Sequence, residues 1–185
     1  MKKIALLGDS IRQIGYGKRV PEILGENYTV WQPEDNCRFA QYTFCMIQAS
    51  WGKELEGSDV IHWNNGLWDT CHRYDDGCFS TPEHYVHTMK RIARILLRYT
   101  KKLIFATTTP VNPKNANQKN CEIDAYNAAL VPELQAMGVI INDLSRFVKP
   151  HVDEYICEDL IHLSPLGIEA CAKKVADEIR AATED

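Results

Sequence analysis

Residues 1–10 read MKKIALLGDS, and the passage from Ile4–Leu7 into Gly8, Asp9 and Ser10 organises the reading of everything after it. A short apolar run closed by a glycine and two turn-forming polar residues reads as a strand followed by a sharp turn. The run is too short for the apolar region of a secretory leader, and no small-residue cleavage site follows it, so the segment is expected to be the first strand of a cytoplasmic protein.

Further runs repeat the pattern. YTVWQ (28–32), DVIHW (59–63), KLIFATTT (102–109) and GVIIND (138–143) read as four more strands. Between them lie segments of helical period: Ala40, Phe44, Ile47 and Trp51 in one, and Val86, Met89, Ala93, Leu96 and Leu97 in another. Thr81-Pro82 and Ser164-Pro165 are cap-plus-proline starts, the second opening a last helix to about Ala182 with Leu166, Ala170 and Ile179 turned inward. Strands alternating with helices predict an α/β protein, a five-stranded parallel sheet covered by helices on both faces, as one domain over 1–185. The loop VNPKNANQKN (111–120) reads as the most polar and flexible segment.

Composition narrows the function. A net charge of −4 without a Lys/Arg block argues against nucleic acid as a partner, and no apolar run has membrane-spanning length. Seven cysteines, odd in number and widely spaced, read as reduced thiols rather than a disulfide framework. CHRYDDGC (71–78) gathers His72, Asp75 and Asp76, with His84 and His87 close by. No pair there has metal-motif spacing, so no metal is expected.

In an open parallel sheet, ligands sit beyond the carboxyl ends of the strands. Ser10 follows the first strand there, as a helix cap or as a nucleophile. Asp159 and His162, three residues apart, bring a carboxylate and an imidazole onto one turn, so that the acid holds Nδ1–H and Nε2 is left to take a serine proton. No G-x-S-x-G is present, so the nucleophile elbow of the α/β-hydrolases is absent.

LLGDSI near the start and DLIHLSPLG near the end resemble the first and last blocks of the SGNH, or GDSL-type, hydrolases. TTTPV, YNAAL and VIINDL fall where that family has similar segments. The resemblance implies a three-layer α/β/α, flavodoxin-like fold and ester hydrolysis through a serine acyl-enzyme. Ser10 would be the nucleophile, His162 the base and then acid, and Asp159 its orienter, with no cofactor.

The middle blocks depart from the family. No glycine lies between Gly25 and Gly52, so PEDNCRF (33–39) stands where a glycine N–H normally enters the oxyanion hole, and a backbone N–H in 36–39 is expected instead. In HWNNGLWD (62–69) a gap-free match puts Trp68 where the family has its donor asparagine. The expected oxyanion donors are therefore the Ser10 N–H with Asn64, then Asn65, then the Trp68 indole, although Asn-Gly is also an ordinary turn. Asp9, Asn36, Trp63 and Trp68 are expected to line the substrate pocket, with Tyr74 and Phe79 near it. The expected substrate is a small ester with a short acyl group such as acetyl, carried on a carbohydrate. A lysophospholipase or thioesterase, and a binding module without catalysis, are the alternatives.

Overall fold

The computed structural model describes residues 1–184. Its five strands are β1 (Lys2–Leu7), β2 (Tyr28–Trp31), β3 (Val60–Trp63), β4 (Lys102–Ala106) and β5 (Ile140–Asn142). All pair in parallel, in the order β2-β1-β3-β4-β5. The helices are α1 (Val20–Leu24), α2 (Ala40–Met46), α3 (Gly52–Leu55), α4 (Pro82–Leu96), α5 (Asn120–Gln135), α6 (Leu144–Val148), α7 (Val152–Tyr155) and α8 (Pro165–Glu184).

The sheet divides two cores. Ile4, Leu6, Val60, Ile104 and Ala106 face α1, α6 and α8. Ala5, Leu7, Ile61, Trp63, Leu103 and Phe105 face α2, α4 and α5. This is the three-layer α/β/α arrangement, and it explains why the strands read as unbroken apolar runs: neighbouring side chains are buried on opposite faces.

Both cap signals hold. Thr81 accepts the His84 N–H at 3.3 Å, and Ser164 accepts the Gly167 N–H at 3.1 Å. Two local expectations are corrected. The inward stripe of α8 runs through Gly167, Cys171, Val175 and Ile179, while Leu166 is exposed and Ala170 only half-buried. Gly167 takes the place beside the core because an added Cβ would lie 2.3 Å from the Tyr155 carbonyl. The 111–120 loop is tied down rather than loose. The Asn112 N–H bonds Leu160, Asn120 bonds Val111 through both amide atoms, and buried Gln118 reaches the Leu67 carbonyl. Its polar side chains satisfy its own backbone, which composition alone does not reveal.

Strand order reverses at β1: the chain passes first to β2 on one side, then to β3 on the other. The crevice between the ends of β1 and β3 is thus the topological switch point. It opens beside Leu7 and Trp63, which pair in register, with Ser10 and Asn64 just beyond.

Candidate active site

Ser10 opens a helical turn over 11–15, yet its hydroxyl makes no capping bond. Asp9 takes that role, accepting the Ile11 N–H at 3.0 Å, and Ser10 Oγ lies 2.9 Å from His162 Nε2. His162 Nδ1 lies 2.6 Å from Asp159 Oδ2. A carboxylate only accepts, so Nδ1 carries the ring proton and Nε2 is free to accept from the serine.

The Asp159–His162 turn is built locally. Asp159 Oδ1 accepts the N–H groups of Ile161 and His162, each at 2.9 Å, and the Cys157 N–H closes the turn on the His162 carbonyl at 2.8 Å. Leu160 adopts φ 71° to make the bend. Partial burial works against the Asp159 charge. The His162 amide and ring and the Ile161 amide outweigh it and hold the carboxyl well below its usual range.

Ser10 and His162 open into a cavity of about 210 Å³, walled by Asn36, Leu67, Trp68 and Ile161, with Cys71, Arg73 and Gln118 completing the rim. A larger cleft of about 590 Å³ between α5 and α6 lies apart from the serine. Among the expected pocket residues, Asn36 and Trp68 are in the wall.

Asp9 and Trp63 are corrected: they are buried beneath the pocket. The Asp9 carboxylate bonds Asn64 and Ile11, and burial raises its pKa. Trp63 packs on Phe105 and donates to Asn65 Oδ1 at 2.7 Å.

Asn64 and Asn65 are also corrected, since neither lines the cavity. Asn64 Nδ2 donates to Asp9 Oδ1 at 2.9 Å, and its Oδ1 accepts the Tyr16 hydroxyl at 2.7 Å. Asn65 Nδ2 donates to the Arg38 carbonyl at 2.8 Å, while its Oδ1 accepts from Trp63 and Thr43. The chain then turns at Gly66, whose φ of 146° and close approach to Thr108 Oγ1 (1.9 Å from an added Cβ) exclude a side chain. The turn therefore carries the next residues, up to Trp68, to the pocket.

The 36–39 backbone is largely spent as well. The Asn36 N–H bonds Asp35, the Cys37 N–H bonds the Gly8 carbonyl, and the Arg38 N–H bonds Asn36 Oδ1. That last bond orients the Asn36 amide: with Oδ1 accepting, Nδ2 is left as a donor at the cavity wall. The segment is held by Arg12, buried and donating to the carbonyls of Gly8, Pro33 and Asp35. Arg12 and Gln118 leave no spacing signal in the sequence, because their partners are backbone carbonyls, most of them far along the chain.

No family model matches the chain, and no curated protein does. Solved structures do. A lipase/acylhydrolase from Enterococcus faecalis superposes with a TM-score of 0.82 at 18% identity, over 98% of this chain and 96% of that one. An acetyl xylan esterase superposes at 0.80 and 16% identity, over 96% and 99%. An acetylxylan esterase from Geobacillus stearothermophilus gives 0.73 and 16%, over 96% and 94%. Catalytic mutants of that esterase are changed at a serine, an aspartate and a histidine, the aspartate three positions before the histidine. At these identities the likeness is one of fold: the chain has the SGNH-hydrolase fold that its end motifs resemble.

Proposed function

We propose that the protein is a serine ester hydrolase releasing a short acyl group, acetyl above all, from a small-molecule ester. The observation that carries this is the continuous hydrogen-bonded series Ser10–His162–Asp159 opening into a cavity of about 210 Å³. Its small volume favours a short acyl chain over a lipid tail. The acetyl-releasing esterases among its structural neighbours, with Trp68 at the wall, support an acetylated carbohydrate as the substrate.

In the proposed reaction, Ser10 Oγ bonds the ester carbonyl carbon as its proton passes to His162 Nε2. The oxyanion is met by the Ser10 N–H, Asn36 Nδ2 and the Trp68 indole N–H. The C–O bond to the alcohol breaks, and the alcohol leaves with the proton from His162. Water then attacks the acyl-serine with His162 again as base, releasing the acid and restoring Ser10. Asp159 stays ionised and holds the ring, as its lowered pKa favours. Every step is carried by side chains and amides of the chain itself.

No helix among the described residues is long and apolar enough to cross a membrane. The seven unpaired thiols support a reducing compartment, hence the cytoplasm. The test is a fluorophosphonate probe followed by peptide mass spectrometry. Labelling at Ser10 with loss of acetyl-ester hydrolysis is the expected result; an unlabelled protein that still hydrolyses the ester overturns the serine mechanism.

A further inference from the structure

The loop from Cys71 to Ser80 folds back on itself. His72 and Cys78 form an antiparallel bridge, and the Phe79 N–H bonds the Cys71 carbonyl at 3.0 Å. The His72 N–H is held by the Asn117 carbonyl at 2.7 Å. Directly opposite, the first turn of α5 presents Glu122. His72 Nε2 lies 2.6 Å from Glu122 Oε2 and 3.3 Å from Cys78 Sγ, and the three donor atoms all lie within 4.8 Å of one another.

The second histidine cluster differs from the first in one decisive respect. At His162 the two ring nitrogens face different partners, which is what a proton relay needs. At His72 the acid and the thiol face the same nitrogen, so no proton passes from one to the other through the ring. Three donors converging on one point is the arrangement around a cation. We propose that His72, Cys78 and Glu122 bind a zinc-class divalent ion.

The donor set selects the ion. One imidazole, one thiolate and one carboxylate match borderline-soft zinc, whereas calcium and magnesium take oxygen donors. Thiolate and carboxylate together cancel the charge of one divalent ion. A thiol binds zinc as the thiolate, so binding displaces the Cys78 proton to solvent. Lys119 Nζ lies 3.7 Å from the other Glu122 oxygen, on a side chain that is 61% exposed and free to turn into water. His72 and Glu122 are partly exposed, which gives the ion a way in. The ion would fasten the 71–80 loop to α5. That loop carries Cys71 and Arg73, part of the rim of the Ser10 cavity, so the ion would fix the shape of the rim without entering the chemistry.

The experiment uses chelator-stripped whole protein titrated with cobalt(II), whose thiolate ligation gives a charge-transfer absorption. The expected result is a band saturating at one ion per chain and displaced by zinc. Cys78→Ser removes the band, and Glu122→Gln and His72→Gln weaken zinc binding by at least about tenfold in chelator competition. Cys121→Ser, altering the exposed thiol beside Glu122, leaves the band intact. Added zinc also raises the Tm of the unaltered protein, a readout independent of how the variants fold. Absence of the band, its survival in Cys78→Ser, its loss in Cys121→Ser, or an unmoved Tm each overturns the proposal.

Discussion

Two polar segments meet at the carboxyl end of the sheet and use their side chains in opposite ways. The 157–162 turn spends its backbone on itself and delivers His162 to Ser10. The tip of β3 spends its side chains inward: Asn64 joins Asp9 to Tyr16, and Asn65 joins Trp63 and Thr43 to Arg38. The aspartates show the same split. Asp159, bonded to amides and a ring, is held below its usual pKa, whereas burial pushes Asp69 up to about 7 despite bonds from Ser80 and Ala40. In the proposed reaction a polar side chain near Ser10 acts on the substrate when it opens on the cavity, as His162 and Asn36 do, and serves the fold when it is buried beneath it, as Asn64 and Asn65 are.

The sharpest way to break this comparison is to remove members of the outward-facing set. Ser10→Ala and His162→Ala should each lower kcat for a short aryl ester on the order of 10⁴-fold or more, with an unchanged circular dichroism spectrum. Near-native turnover in either would end the distinction.

Asp69 tests the inward side through pH. Its folded pKa of about 7 exceeds the ordinary 3.8, so the folded state keeps a proton that the unfolded chain releases. Stability from this group is fully present below about pH 4 and is lost as pH rises through 7, by up to the order of 4 kcal/mol. Denaturant midpoints at pH 5 and pH 8 should converge in Asp69→Asn relative to the unaltered protein. Asp159 has the reverse sign, its contribution being present at neutral pH and lost in acid. An Asp69→Asn variant with the parent's pH dependence would show that the carboxyl is ionised in the fold.

Asn64→Ala comes next. It leaves Asp9 Oδ1 and the Tyr16 hydroxyl without each other's bridge, a cost of about 2–4 kcal/mol in stability with little change in turnover of the folded enzyme. A hundredfold loss of kcat at unchanged stability would return Asn64 to the oxyanion site. The smallest expected effect is Asn36→Ala, about 10²-fold in kcat with little change in KM, because its bond strengthens only as the oxyanion forms. An equal change in KM instead would make Asn36 a substrate-binding group only.

The sequence by itself determined the five strands, their parallel pairing between two helical layers and the Asp159–His162 turn, while Ser10 was tied to that turn by its place after β1 and by the resemblance of the end motifs. These signals are local: burial on both faces writes unbroken apolar runs, and a three-residue spacing is enough to bring an acid to an imidazole on one turn. The tertiary structure alone decided which amides reach the pocket and which histidine faces a thiol. At the end of β3 the two-residue period of the strand stops and Gly66 redirects the chain, so sequence position no longer tells which way Asn64, Asn65 or Trp68 faces. Asn36 is placed by the buried Arg12, and Glu122 meets His72 from fifty residues away. Contacts made across the fold, between groups with no fixed spacing along the chain, leave no pattern in the sequence to read.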